Sequence, residues 1–406
     1  MTLEQDSLGR GGARRALIEV AVVFARLGCM SFGGPVAHLG YFRAELVAKR
    51  AWIDDAGYAD LVALCQFLPG PASSQVVFAL GLRRAGLLGA LVASLCFTLP
   101  SALLMIGVAL GAARFGDLSR APWLHGLKLA SVAVVAQAVW GMGRKLCPDR
   151  ARITLCALVA GLVLLSPFAA VQVCAILLGG VAGFALYRDA PLPAADAESA
   201  VSARDARLGV AVLGVWALIL LVLPLVAAMS SASSLTHLDS FYRAGSLVFG
   251  GGHVVLPLLR AELVPRGFIS DDQFLAGYAA AQALPGPLFS FAAYLGAVMG
   301  AGGASVGHGF WCLFGIFLPA WLLIYGALPF WQRVRSASWA QSALAGANAS
   351  VVGVLVAALY SPVFRESVHT PLDFTLALSG FVALEVWRVS PGLVVLGMAL
   401  AGHVMA

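Results

Sequence analysis

Arg26 and Arg243 stand in apolar surroundings, each seven residues before a pair of glycines, Gly33-Gly34 and Gly250-Gly251. A guanidinium taken out of water is costly unless paired, so an arginine inside an apolar segment marks either a binding site or a structural ion pair. Glu19 and Asp239 are the carboxylates within reach for such a pair. Glycines at a helix start leave backbone amides approachable, and the helix dipole adds positive potential there, which makes an anion site. Pro35 follows the first pair and favours a helix start; Gly252 takes its place in the second. The chemistry that fits is reversible capture of an anion.

A second motif follows each arginine–glycine block: Pro69-Gly70-Pro71, three residues after Gln66, and Pro285-Gly286-Pro287, three after Gln282. Two prolines remove two backbone donors, and such a break is tolerated inside a membrane only where protein or water satisfies the freed carbonyls. The glutamines can do this or line the cavity. Arg43/Glu45 and Arg260/Glu262 are spaced two residues apart, too close to face each other on one helix, so they hold loop positions or pair across the halves. Lys128 has only an amide, Asn348, as its counterpart. The expected substrate-binding set is Arg26, Gly33, Gly34, Arg43, Gln66, Gly70, Lys128, Arg243, Gly250, Gly251, Arg260, Gln282 and Gly286. The expected gating and structural set is Pro35, Pro69, Pro71, Glu45, Glu262, Pro285 and Pro287. His38, His125, His253 and His308 lack metal-ligand spacing and are read as ordinary.

These motifs belong to a duplication. Residues 24–47 align with those 217 positions on, with 12 identities in 24, and residues 50–71 align at 216, with nine in 22. Leu124–Lys128 matches Leu344–Asn348.

The elements that position them are membrane helices. Of 406 residues, 60% are hydrophobic and 11% charged, whereas soluble domains carry about 25% charged residues. Apolar runs of roughly 20 residues suit a hydrocarbon core of ~30 Å. Thirteen spans are expected, at 16–33, 57–80, 86–112, 124–143, 153–167, 169–187, 208–229, 239–252, 273–299, 304–329, 339–360, 372–387 and 390–404. The first is read as retained, not as a cleaved signal. With the N-terminus cytoplasmic and the C-terminus outside, inside loops hold 17 Lys/Arg and outside loops six, of which Arg43, Lys49 and Arg50 are the main departure from the positive-inside rule. Either that cluster works on the outer face or 34–56 is re-entrant. Residues 1–190 form the first repeat, 191–237 a polar linker plus the connecting span 208–229, and 238–406 the second repeat. Six spans and one connector invert the second repeat, as in many secondary transporters. The fold class is all-α, polytopic and built from two inverted repeats with broken helices.

The scattered net charge of +6 excludes a nucleic-acid stripe. No metal, cofactor, phosphate-loop or nucleophile–base motif is present, so the chain is not read as an enzyme or an ATP-driven pump. The seven cysteines are read as small hydrophobes.

The Phe-Gly-Gly-Pro and Gln-x-x-Pro-Gly-Pro blocks, with second copies near Phe249 and Gln282, resemble those of the chromate ion transporter (CHR) family in its long, two-domain form. The resemblance implies chromate export across the bacterial inner membrane and chromate resistance, driven by the membrane potential or a proton gradient. Sulfate is the competing tetrahedral dianion, and a homodimer is an assembly left open. A carrier of another anion and a passive anion channel are the alternatives from other classes.

Overall fold

Arg50 and Trp52 both reach back to Glu19, and that contact sets the architecture. The computed structural model describes residues 10–31, 34–114, 122–166, 170–186, 202–248, 254–300, 303–335 and 337–404. Helix α1 (Arg10–Met30) ends at a break, and α2 (Gly34–Phe42), prolonged by a π-helical stretch (Arg43–Lys49), runs back beside it. Arg50 Nη1 lies 3.1 Å and Trp52 Nε1 3.3 Å from Glu19 Oε1. Inside the hairpin Phe24 meets Trp52 edge-on.

The same manoeuvre follows at once. Asp54 caps α3 (Asp55–Phe67) by accepting from the Gly57 amide, the chain turns at the first Pro-Gly-Pro, and the first arm of α4 (Ala72–Arg114) brings Arg84 back to Glu19 at 2.7 Å. Helix α4 then reverses at Ala85–Gly86, where Gly86 takes φ +67°, a conformation glycine adopts without a Cβ penalty. A Cβ on Gly81 or Gly89 would strike the other's carbonyl, so the two arms touch backbone to backbone. The second arm of α4 then runs its full length.

The other half rebuilds the pattern. Helices α9 (Ser233–Leu247) and α10 (Val255–Leu263) form a hairpin closed by Arg243 on Glu262 and by Phe268 against His237. Helices α11 (Asp271–Ala283) and α12 (Phe291–Val298) form another, in which the Tyr294 hydroxyl donates to the Gln273 carbonyl at 3.1 Å. Helix α13 (Val306–Ala327) follows as the long element, ending near the short α14 (Trp331–Arg335).

The remaining helices interleave the halves. Of the first half these are α5 (Pro122–Leu146), α6 (Arg150–Leu165) and α7 (Ala170–Leu186); of the second, α15 (Ser338–Ala358), α16 (Pro371–Glu385) and α17 (Pro391–Val404). Helix α5 packs on α16 and α17, and α15 packs on α6 and α7. Gly126 lies against the Met398 carbonyl and Gly346 against that of Gly179, so glycine permits the close approach at both crossings. Helix α8 (Ala203–Met229) connects the halves and packs on α9 and α13, while Leu218, Leu221 and Leu225 stay exposed.

Among the described residues five helices are long and apolar enough to cross a membrane: Ala72–Ala112, His125–Leu146, Ala203–Met229, Val306–Phe330 and Ser338–Phe364. The expected connector at 208–229 is α8, begun five residues earlier; residues 191–201 of the linker lie outside the described residues. Two expected spans require correction. Segments 57–80 and 273–299 are each a hairpin folded at Pro-Gly-Pro, because the prolines end one helix and the positive-φ glycine turns the chain. The segment 34–56 returns to the end of α1 from which the chain set out, as Glu19 shows.

Candidate functional site

The two Pro-Gly-Pro turns are exchanged between the halves. The Gly70 amide donates to the Val248 carbonyl at 2.6 Å, and the Gly286 amide donates to the Ser31 carbonyl at 2.8 Å. Ser31 and Val248 are repeat-related, 217 residues apart, and each precedes a glycine-rich break. Gly70 has φ +118° and Gly286 +98°, so both need glycine. Gly70 packs toward Ala320 and Gly286 toward Ser101, each next to a helix proline of the opposite half, Pro319 or Pro100. The four chain breaks therefore meet in two reciprocal pairs across the halves, a crossing framed by Pro69, Pro71, Pro285 and Pro287. Gly34 and Pro35 open α2, whereas Gly33, Gly250, Gly251, Gly252 and His253 lie outside the described residues.

The first half supplies buried polar groups at this crossing. His38 is fully buried, and its Nε2–H donates to the Ser31 carbonyl at 3.1 Å, which leaves Nδ1 as an acceptor without a partner among the described residues. Ser31 Oγ is likewise unpartnered. The freed Pro69 carbonyl is satisfied by Gln75 Nε2 at 2.8 Å, not by Gln66, which is exposed; Gln282 is buried. His38 and Gln75 are the site residues that sequence reasoning missed. Gln75 follows Pro-Gly-Pro inside the next helix, a position where a buried amide opposite a proline-freed carbonyl is legible in principle.

Arg43, Glu45, Arg260 and Glu262 pair within their own halves, against the alternative of pairing across them. Arg43 Nε meets Asp55 Oδ1 at 2.7 Å, and Arg260 Nε meets Asp271 Oδ1 at 2.7 Å. Arg50 meets Glu45 at 2.8 Å and Arg266 meets Glu262 at 3.2 Å, again repeat-related pairs. Hydrogen bonding from the Arg50 guanidinium, the largest influence on it, holds the Glu45 carboxyl below its ordinary range.

The two intramembrane arginines differ. Arg243 is held by Glu262 through two bonds of 2.8 Å and by the buried Asp239 at 2.8 Å. Arg26 is exposed and has no ion pair among the described residues; Val22 stands where Asp239 stands in the other half, and Arg50 takes Glu45. Two carboxylates on Arg243 leave that cluster without free positive charge, so the two arginines are not equivalent anion contacts in this conformation. Lys128 meets Asp272 Oδ1 at 2.5 Å, which ties α5 to α11.

Comparison with known proteins agrees with this duplicated layout. The model of the chromate transporter family matches residues 18–184 and again 235–403. The chromate transport protein of Pseudomonas aeruginosa is 31% identical over 407 residues, covering 93% of this chain and 90% of that protein. The chromate transport protein of Cupriavidus metallidurans is 26% identical over 400 residues, covering 96% and 93%. No solved structure matches the chain. With one family unit in each half, joined by α8, this multi-pass membrane protein belongs to the chromate transporter family in its long form.

Proposed function

We propose that this protein is a secondary transporter that exports chromate across the bacterial inner membrane by alternating access and so confers chromate resistance. The observation that carries the mechanism is the reciprocal pair of hydrogen bonds, Gly70 to Val248 and Gly286 to Ser31. Breaks joined in this way are exchanged by a pseudo-two-fold relation between the halves, and the four hairpins become re-entrant elements that bring helix ends to the membrane midplane. Nine helices then cross: the second arm of α4, α5, α6, α7, α8, α13, α15, α16 and α17. Four crossings per half and one connector put the hairpins of the two halves on opposite faces, an inverted repeat of the kind that surrounds midplane substrate sites.

Loop charge supports the orientation. With the hairpins re-entrant, Arg43, Lys49 and Arg50 join the N-terminal face, which then carries 18 Lys/Arg; Arg114, Arg120, Arg260, Arg266 and Arg365 remain on the other. The N-terminal face is therefore cytoplasmic and the C-terminus periplasmic.

A tetrahedral dianion at the crossing meets the amide at Gly34 and the side-chain amides of Gln66 and Gln282, while Gly70 and Gly286, whose own amides are bonded to Val248 and Ser31, hold the turns that shape the site. Gly33, Gly250 and Gly251, outside the described residues, belong to the same proposed set. Arg26, without an ion pair among the described residues, provides positive charge. Arg243, held here by Asp239 and Glu262, becomes an anion contact only in a conformation that releases it from them. Arg43, Arg260 and Lys128 are outer contacts along the path. The test is uptake of labelled chromate by everted vesicles. Uphill uptake that collapses when the potential and proton gradient are dissipated is expected. Flux that persists only downhill indicates a channel, and full competition by equimolar sulfate indicates a broader anion carrier.

A further inference from the structure

The halves match in their hairpins and in their long helices, but not where the two meet. In the second half α11 packs on α5 and α17. Lys128 and Asp272 pair there at 2.5 Å, Ser131 Oγ donates to the Leu275 carbonyl at 3.4 Å, and Leu275 and Ala279 are fully buried. In the first half α3 packs on α4 and on the prolonged α2, with no comparable packing on α15 or α7. Ala56, Ala59, Ala63 and Gln66, the counterparts of Asp272, Leu275, Ala279 and Gln282, form one exposed stripe at helical spacing.

The buried interior splits in the same way. The hairpins of the second half share one hydrophobic cluster with α4, α5 and α15. Those of the first half form a separate cluster, in which the second half buries Ile324 and Trp331 and against which it packs Trp321, Tyr325, Leu328 and Val334. The ion pair is also one-sided: Asn348 stands for Lys128, its Oδ1 buried and without a partner among the described residues, and Ala56 stands for Asp272. Beyond the pair lies a cavity of about 980 Å³ lined by Trp123, Ser270, Asp272, Gln273 and Tyr294.

We propose that Lys128–Asp272 is the gate of the mouth between α11 and α5, shut in this structure, and that the Ala56–Ala59–Ala63–Gln66 face of α3 lines the open mouth through which an anion reaches the crossing. The assignment rests on the protein being an alternating-access anion carrier and adds its gate and access path. Small alanine side chains leave room along the path, and Gln66 ends it three residues before Pro69. In the opposite state α3 docks on α15 while α11 leaves α5, and Ala56 then meets Asn348, not a charge. The missing ion pair biases the resting carrier toward the state seen here.

Single cysteines at Ala63 and at its counterpart Ala279, read against the parent protein's own labelling, test the gate with a membrane-impermeant maleimide in vesicles of known sidedness. Ala63→Cys is expected to label from the cytoplasmic face and Ala279→Cys to be protected. Asp272→Ala should raise labelling at 279 and lower it at 63 by about fivefold, the scale of a part-exposed ion pair. The charge-swapped Lys128→Asp/Asp272→Lys variant should restore protection at 279. The mirror variant Ala56→Asp/Asn348→Lys should protect position 63. Equal labelling at 63 and 279, or labelling that ignores Asp272→Ala and its charge-swapped rescue, overturns the assignment. No chromate enters this assay, so a carrier of another anion would pass it while failing chromate uptake.

Discussion

The Gly70 amide hydrogen-bonds the Val248 carbonyl across the two halves, and Gly286 repeats the bond to Ser31 in the opposite sense. Each half therefore completes the broken helix of the other. An amide released by one break is satisfied by a carbonyl released at the next, which is how irregular backbone survives at membrane depth. This exchange makes the two turns sensitive to any side chain.

Gly286→Ala is expected to destabilise the protein more than Gly70→Ala. Both force a non-glycine residue to positive φ, a strain of about 1–3 kcal/mol. At 286 the added Cβ also meets Ser101 Cβ at 2.9 Å, whereas at 70 the nearest atom is the movable Gln75 amide at 2.9 Å. Thermal unfolding of purified protein, followed by intrinsic fluorescence, gives the order.

Arg243→Ala and Arg26→Ala should separate stability from transport. Removing Arg243 strands the buried Asp239 carboxylate and leaves Glu262 to Arg266, at a cost of about 3–5 kcal/mol, the range for breaking a buried pair. Removing the exposed Arg26 should shift unfolding by under about 0.5 kcal/mol, as surface changes do, yet reduce vesicle chromate uptake at least tenfold. Unchanged uptake by Arg26→Ala would take that residue out of the site.

The twin pairs Arg43–Asp55 and Arg260–Asp271 share a 2.7 Å contact but differ in exposure, 64% for both side chains in the first against 25% and 28% in the second. Solvent screening decides the outcome: Asp55→Ala should leave unfolding unchanged in 150 mM salt (roughly physiological). Asp271→Ala should lower stability by about 1 kcal/mol.

Cysteines at Ala48 and at its repeat counterpart Pro265 report inversion directly, since both positions are exposed. Labelling from opposite faces of the membrane is expected, the first from the cytoplasm. Labelling from the same face would sink the inverted topology and with it the nine-crossing count.

The sequence by itself determined the duplication, the places where helices break and the existence of one connector, because identities at a fixed offset and the backbone chemistry of glycine and proline are local. It also exposed its own inconsistency: Arg43, Lys49 and Arg50 sat on the wrong face of thirteen straight spans. Tertiary structure decided what each break does. A run such as 57–80 buries much the same apolar surface whether it crosses straight or folds back at Pro69–Pro71, so hydropathy does not distinguish them; the contact of Glu19 with Arg50 and Arg84 does. Likewise, Arg26 and Arg243 align in sequence, but only the fold reveals that Arg243 is neutralised by Asp239 and Glu262 while Arg26 has no ion pair among the described residues. His38 and Asp272 carried no signal at all, because their environments are made by residues from distant parts of the chain. Charge pairing and burial are properties of neighbours in space, and those neighbours are chosen by the exchange of helices between the two halves.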